Sequence, residues 1–223
     1  MGVIVTYVNE ADQVSVPSWV TDLTSFRRWA DADDFPEDGR ICYLNGEVWV
    51  DMSKEQVFTH GAAKTEITVV LGSLVKAGQL GLFLADGVML SNVDADIAVV
   101  PDAMFVSTAG LRDRVRLIEG KDEGYVELEG SPDMVLEVVS RSSVHKDTKV
   151  LREAYWEAGV REYWLADARP DPLVFDILRH TARGYRATPK KGGWLASAVF
   201  GKSFRLTRQV STLGHPEYTL TVR

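Results

Sequence analysis

Two acidic residues lie inside or directly beside apolar stretches, where a charge is costly. Glu137 lies within "MVLEVVS", and Asp102 follows Pro101 directly after the apolar segment "DIAVV". A lone ionised carboxylate in an apolar interior shifts its pKa, finds a partner or binds a metal. If the two segments are neighbouring strands, both carboxylates can bind one divalent cation, and the backbone carbonyl of Val138 can supply a further ligand. Hard oxygen ligands of this kind are typical of Mg²⁺ or Mn²⁺ sites.

The chemistry that such a site supports is hydrolysis of a phosphodiester. A bound divalent ion lowers the pKa of a water ligand and stabilises charge on a phosphoryl transition state. A nearby lysine would orient that water or neutralise the developing charge. A structural ion pair of Glu137 with Lys146 or Arg141 is the alternative explanation for a buried acid.

The elements that must position these acids can be predicted from the apolar patterns. The segment 133–140 is too continuously apolar for a surface strand and is expected to be central, with both faces covered. The segment 143–160 is predicted to contain a helix that ends at Gly159, and the segment 161–168 is predicted to be a strand. Upstream, Asn45-Gly46 predicts a hairpin, and helical periodicity predicts a helix within 55–78. The sequence therefore indicates one mixed α/β domain, an α+β arrangement of strands and helices.

Two regions fall outside this pattern. Residues 1–38 are expected to be an N-terminal extension with a short helix, leaving residues 39–223 as the main domain. The charge-rich segment 110–130 is expected to be a loop or an insertion.

The bulk composition excludes some classes of protein. The chain has 223 residues and a formal net charge of -7, which argues against coating nucleic acid through bulk positive charge. A single cysteine, Cys42, excludes an intramolecular disulfide and a cysteine-rich zinc site. No apolar run approaches the length of a membrane span. We therefore expect a cytoplasmic protein that does not bind membranes.

The pattern "PDAMFV … SPDMVLEVVSRSS … KD … Y … AGVREYWLAD" resembles the Uma-type restriction endonuclease family of the PD-(D/E)xK nuclease superfamily. The resemblance implies a restriction-endonuclease-like core, a mixed β-sheet flanked by helices, with extra β-hairpins. It implies a homodimer that cleaves DNA with Mg²⁺ or Mn²⁺, with Asp102 and Glu137 as the metal-binding acids. Glu47 of the first hairpin would be a third catalytic acid.

The chain departs from this family at the lysine. The usual superfamily position, two residues after the glutamate, holds Val139, and the family position four residues before Tyr155 holds Leu151. We expect Lys146 to take the catalytic role, because a loop beside the helix start can direct it at the acids. On an α-helix Lys149 would point about 160° away from Leu151.

The remaining polar residues of this region have less specific expectations. Lys149 and Arg152 are predicted to bind substrate, and His60 could orient substrate or simply be solvated. Asp147 is expected to cap a helix.

Three classes of function stay open at this stage. The leading hypothesis is a metal-dependent DNA endonuclease. The second is a catalytically impaired protein of the same fold that binds nucleic acid or a protein partner, which the missing lysine favours. The third is a homo-oligomeric structural or regulatory protein whose acids only hold an ion.

Overall fold

The computed structural model describes residues 4–7, 14–122 and 124–223 of the chain. The helices in these ranges are α1 (Leu23–Ala30), α2 (Ala63–Gly78), α3 (Thr108–Asp113) and α4 (Leu151–Glu157). A π-helical turn precedes α2 at Val57–Ala62 and another precedes α4 at Lys146–Val150. Within the same ranges, no helix is long and apolar enough to cross a membrane.

The strands of the described residues are, in chain order, β1 (Ile4–Tyr7), β2 (Arg40–Leu44), β3 (Glu47–Asp51), β4 (Gly81–Ala85), β5 (Met89–Asn92), β6 (Ile97–Val99), β7 (Ala103–Ser107), β8 (Val115–Glu119), β9 (Tyr125–Gly130), β10 (Met134–Val138), β11 (Glu162–Asp167), β12 (Val174–Thr181), β13 (Gly184–Ala187), β14 (Leu195–Ser197), β15 (Lys202–Val210) and β16 (Pro216–Val222). They form three sheets in the part of the chain that is described, with the orders β1-β3-β2-β6-β5-β9-β8, β13-β12-β11-β10-β7-β4 and β14-β15-β16. The architecture is therefore a mixed α+β fold.

The central sheet explains why the strand that carries Glu137 is so apolar. β10 lies between β11, with which it pairs in parallel, and β7, with which it pairs antiparallel. All five residues of β10 are buried. Leu136 faces the cluster that contains α2 and the third sheet, whereas Val135 faces the cluster that contains α4 and the first sheet. The prediction of a central strand covered on both faces is confirmed.

The layers on either side of the central sheet hold the two site-bearing helices. Ile67 and Leu71 of α2 are fully buried on one face, and Leu151 and Tyr155 of α4 are buried on the other. Cys42 of β2 packs into the α4 side, so the first sheet covers α4. Helix α1 packs on the far face of the first sheet.

Other expectations from the sequence have mixed outcomes. The hairpin is confirmed, since Asn45 and Gly46 have φ of 51° and 84° between β2 and β3. The expected loop at 110–130 is wrong: this segment forms the end of α3 and the β8–β9 hairpin. Its charges form ion pairs: Glu129 contacts Arg116 on the neighbouring strand and Arg27 of α1. Of the expected extension at 1–38, residues 1–3 and 8–13 lie outside the described part, and the short helix is α1.

Candidate active site

Asp102 and Glu137 lie side by side on adjacent strands. The antiparallel register pairs Ala103 of β7 with Leu136 of β10, so the next residues outward are Asp102 and Glu137. The Val138 N–H donates a hydrogen bond of 2.7 Å to Asp102 Oδ2, which fixes this carboxylate against β10. Because side chains alternate along a strand, Glu137 points to the same face as Val135, toward α4. There its Oε1 accepts a 2.6 Å hydrogen bond from the Tyr155 hydroxyl.

The two π-helical turns bring further polar side chains to this edge of the sheet. The turn before α2 carries His60, and the turn before α4 carries Lys146 and Asp147. π-helical turns are rare and occur often at functional sites. His60 is 2% exposed and Asp147 is 1% exposed, so both side chains are placed inside the molecule.

These side chains enclose one small cavity. The lining combines the two strand acids, the residues of both π-helical turns and several neighbours: Arg40, His60, Val100, Asp102, Glu137, Val138, Ser143, Lys146 and Asp147. Its volume is about 10 Å³. A volume of about 10 to 15 Å³ is what one water needs, so the cavity has the scale of a single small occupant.

Lys146 lies in this cavity against the acids. Its Nζ is 3.6 Å from Asp147 Oδ1, and its side chain is 14% exposed. Asp147 Oδ2 accepts a hydrogen bond from the Ser143 hydroxyl, whereas its Oδ1 has no hydrogen-bond partner among the described residues. The expectation that Asp147 caps a helix is wrong, because it lies inside the π-helical turn and no side chain caps that turn.

A second group of ligand atoms lies beside the cavity. One potential ligand atom each from Glu55, His60 and Asp102 lies within 4.8 Å of the other two. His60 Nδ1 is 3.1 Å from Glu55 Oε2, and His60 Nε2 is 3.5 Å from Asp102 Oδ2. Lys64 Nζ lies 3.0 Å from Glu55 Oε1 and 3.4 Å from Asp102 Oδ1. Glu137 is not part of this group.

The surroundings displace the pKa values of the two strand acids in opposite directions. Burial, followed by the negative charges of Asp147 and Asp102, raises the pKa of Glu137 well above its usual range. Burial alone would also raise the pKa of Asp102, but the hydrogen bond and charge of His60, the Lys64 charge and the Val138 N–H hold it below the usual value. Opposed pKa shifts in adjacent carboxyl groups are typical of sites that use one acid and one base.

The cation at Lys146 is held charged by the same acids. Burial alone would lower the pKa of Lys146, but the charges of Asp147, Cys42 and Glu137 raise it above the ordinary lysine value. The carboxyl of Asp147 has a raised pKa, chiefly from burial. The cavity therefore holds one ammonium group that interacts with several carboxyl groups.

Some residues predicted from the sequence lie elsewhere. Glu47 is at the hairpin end of β3 and does not line the cavity, while Asp51, at the other end of β3, accepts a 2.8 Å hydrogen bond from Ser142 Oγ. Lys149 and Arg152 line a separate cavity beside β13. At the family's lysine position, Leu151 is 1% exposed and packs in the core.

A larger cleft lies beside the cavity that holds the acids. Its volume is about 880 Å³, and its lining is polar: Ser53, Lys54, Gln56, Thr59, Ser140, Arg141, Ser142 and Arg169. Ser142 lines this cleft and its neighbour Ser143 lines the acid cavity, so the two are adjacent. Arg169 is paired with Asp167, whereas Lys54 and Arg141 have no ion pair with any described residue.

The site contains residues that the sequence reasoning did not select. Glu55 and Lys64 flank His60 and reach it or Asp102. Lys64 could have been found, because it follows His60 by four residues and so lies on the same face of a helix. Glu55 gave no signal, since it lies in an irregular segment between β3 and the π-helical turn.

The chain is similar to a known protein family and to a solved structure. Residues 23–213 match the model of the Uma2 family, which is described as "Putative restriction endonuclease". A solved structure from Anabaena variabilis, described as a "putative nuclease belonging to DUF820", is similar with a TM-score of 0.60 and 16% sequence identity. The similarity covers 81% of this chain and 90% of that chain. No curated protein matched.

Proposed function

Because the chain belongs to the Uma2 family of restriction-endonuclease-like proteins, we propose that it is a metal-dependent endonuclease that hydrolyses phosphodiester bonds of DNA. The observation that carries this proposal is the placement of Asp102 and Glu137 side by side, with Lys146 in the same cavity. The fold is shared with the solved structure that is described as a "putative nuclease".

The residues of the cavity suit a divalent cation such as Mg²⁺ or Mn²⁺. Asp102, Glu137 and the carbonyl of Val138 are the proposed ligands, and oxygen atoms are the donors that these ions prefer. Asp147 Oδ1 is buried without a hydrogen-bond partner in the described residues and lies 3.6 Å from the Lys146 ammonium, so it is an acceptor that a bound ion or its water can use. When bound, the ion would supply an activated water and charge stabilisation at the phosphate.

The protein's own residues have separate proposed roles. Lys146 neutralises charge that develops on the phosphate, because its ammonium already lies among the acids. Glu47 stays a proposed third acid only if the hairpin end of β3 reaches a bound substrate. Lys149, Arg152 and His60 stay proposed substrate contacts, although the cavity of Lys149 and Arg152 is separate from the acids.

We propose the 880 Å³ cleft as the place where the DNA backbone lies. Lys54 and Arg141 are cations without an ion pair among the described residues, on a concave surface lined by hydroxyl groups. Backbone phosphates are bound by such cations and hydroxyls without reference to sequence. A strand in this cleft would pass next to the acids, since Ser142 and Ser143 are neighbours in the two linings.

The test is cleavage of supercoiled, linear and single-stranded DNA by pure protein with Mg²⁺ or Mn²⁺. We expect cleavage that EDTA abolishes and that Glu137→Gln removes. No cleavage of any of these substrates, together with salt-dependent DNA binding, would instead support the alternative, a catalytically impaired protein that binds nucleic acid. The burial of Val139 and Leu151 at the two expected lysine positions is the observation that favours this alternative.

The cleft is tested separately by the salt dependence of binding. Each phosphate contact contributes about 0.9 to the slope of log K against log salt concentration. We expect Lys54→Ala/Arg141→Ala to lower this slope by about 2. The matched control is Lys76→Ala/Lys202→Ala, which removes the same charge from exposed positions outside the cleft and should change the slope less. Equal effects of the two double variants would refute the cleft assignment.

We also propose a homodimer located in the cytoplasm. The dimer rests on the family resemblance alone. Phe200 and Phe204, aromatic residues near the C-terminus that would offer apolar surface to a second copy, are buried in the chain's own core. Trp194 is covered by the guanidinium groups of Arg205 and Arg223. Light scattering at micromolar concentration should return twice the chain mass of 24.8 kDa, and a single-chain mass would contradict the dimer.

A further inference from the structure

The group formed by Glu55, His60 and Asp102 contains a histidine that its surroundings do not satisfy. His60 is 2% exposed, and its Nδ1 has no hydrogen-bond partner among the described residues. Glu55 Oε2 is only 3.1 Å from Nδ1, but the two atoms are not aligned for a hydrogen bond. A buried polar atom without a partner is unusual and calls for an explanation such as an ion.

A positive charge already lies between two members of this group. The Lys64 ammonium is 3.0 Å from Glu55 Oε1 and 3.4 Å from Asp102 Oδ1. Its shortest contact, 2.7 Å, is with Asp86 Oδ2, a carboxylate outside the group. The ammonium can therefore keep one ion pair while it leaves the other two carboxylates.

The group can bring one nitrogen and two carboxylate oxygens to a single ion. Two neighbouring ligands bound at about 2.0 to 2.2 Å from one ion lie roughly 3 to 3.5 Å apart. The unpartnered His60 Nδ1 is 3.1 Å from Glu55 Oε2, which falls in this range. Asp102 Oδ2 is 3.5 Å from the other ring nitrogen, Nε2, which cannot bind the same ion as Nδ1. One donor atom of each residue lies within 4.8 Å of the other two, so the donors have to move inward around the ion.

We propose that Glu55, His60 and Asp102 bind a divalent transition-metal ion, with Lys64 holding the position in its absence. The set combines one imidazole nitrogen with two carboxylates. An imidazole ligand favours ions such as Mn²⁺, Co²⁺ or Zn²⁺ over Mg²⁺. This position is distinct from the one proposed between Asp102 and Glu137, although Asp102 can serve both.

An ion at this site would decide which metal serves the proposed cleavage reaction. That role in cleavage rests on the proposed function, but the binding of the ion does not depend on DNA or on turnover. A site with a nitrogen ligand next to the acids would make Mn²⁺ the better ion at low concentration. Lys64 would then contact Asp86 alone.

The experiment is Mn²⁺ binding to the full chain without a histidine tag and without DNA, followed by electron paramagnetic resonance. We expect a bound Mn²⁺ whose spectrum shows coupling to a nitrogen nucleus, with Mg²⁺ competing only weakly. His60→Gln should remove the nitrogen coupling and weaken Mn²⁺ binding at least tenfold. His145→Gln, which changes another histidine next to a π-helical turn, should leave both unchanged.

Lys64→Met separates this proposal from a purely structural ion-pair cluster. Removing the competing ammonium should tighten Mn²⁺ binding about tenfold or more, whereas Lys76→Met, near the other end of the same helix, should not. Absence of nitrogen coupling in the wild type, or coupling that persists in His60→Gln, overturns the proposal, provided that circular dichroism shows folded variants. Nitrogen coupling without DNA cleavage would support this metal site and refute the proposed nuclease activity. DNA cleavage without nitrogen coupling would support the nuclease activity and refute this metal site.

Discussion

Replacing Lys146 by methionine tests the part of the proposed mechanism that departs most from the family. The substitution shortens the side chain by one atom and removes its charge. Without the ammonium, Glu137 and Asp147 lose the cation that shares their cavity. We therefore expect two effects, one on stability and one on turnover, which have to be measured separately.

The effect on stability follows from the contact with Asp147. At 3.6 Å, two unit charges attract by about 4 to 5 kcal/mol at an effective dielectric constant of about 20. Restoring the hydration of the ammonium in the unfolded state offsets part of this. Removing one partner of a buried pair costs about 3 to 5 kcal/mol, so we expect a loss near the lower end. A loss of about 3 kcal/mol lowers Tm by roughly 6 to 12 °C in a chain of this size.

The substitution should lower the turnover rate by a larger factor than it lowers the fraction of folded protein. Losing a cation that stabilises developing charge costs on the order of 3 kcal/mol, about a hundredfold in kcat. The assay is single-turnover cleavage at 20 °C, where urea titration shows that the variant is folded. Lys149→Met is the matched control, since Lys149 lines a different cavity. Wild-type kcat in folded Lys146→Met, or an equal loss in Lys149→Met, would refute the lysine assignment.

A second substitution in the same background restores the family's pattern. In Lys146→Met/Leu151→Lys, the new lysine stands one helical turn before Tyr155, whose hydroxyl contacts Glu137. We expect it to recover at least part of the lost turnover, although burial of an ammonium in place of Leu151 lowers the stability further. No recovery in a folded double variant would mean that the position of the ammonium, and not its presence, limits catalysis.

Two further variants test the buried carboxylates. Glu137→Gln keeps an acceptor for the Tyr155 hydroxyl and should abolish cleavage. Because the pKa of Glu137 is raised in the folded state, the wild type loses stability as pH rises through that pKa. Urea titration should therefore show that the unfolding free energy of the variant increases relative to that of the wild type from pH 4 to pH 8. A difference in unfolding free energy that does not change with pH would contradict this. Asp133 accepts from the Ser107 N–H at 2.7 Å and contacts Arg114 and Arg161. The Ser107 hydrogen bond and Arg114 hold the pKa of Asp133 below the usual value against the effect of burial. The stability that the Asp133 carboxylate contributes is present above its unfolded pKa and is lost as pH falls. Asp133→Asn should therefore lower the unfolding free energy by about 3 kcal/mol at pH 7 and by less at pH 3. A loss at pH 3 as large as at pH 7 would show that the contribution does not come from the charge of Asp133.

The fold was predictable where one physical rule dominates a segment. The continuous apolar run of β10 predicts a strand that is buried on both faces. Asn45-Gly46 predicts a tight turn because both residues accept positive φ. The segment 110–130 was mispredicted because its charges suggested solvent. In the structure Arg116 and Glu129 are directly opposite each other across the β8–β9 pair, where opposite charges stabilise a strand.

The candidate site was predictable in its strand-borne acids and in Lys146, which the sequence places beside the start of a helix. Asp102 and Glu137 stand out because each is an acid at the end of, or inside, an apolar strand. The π-helical turn hides the rest, since helical spacing places Asp147 at a cap, whereas the wider turn places it inside the cavity. Glu55 lies in an irregular segment, where no periodicity relates it to His60.

The position of Cys42 gives the native chain its own chemical reporter. It is the single cysteine, it is 7% exposed, and burial raises its pKa to about 11, with Lys146, Glu137 and Asp147 as its nearest charges. A buried thiol with this pKa reacts with alkylating reagents only when the first sheet opens away from α4. The alkylation rate at pH 8 therefore measures how often the packing between the first sheet and α4 opens, without any introduced label. A ligand that holds the acids together should slow this reaction in proportion to its binding.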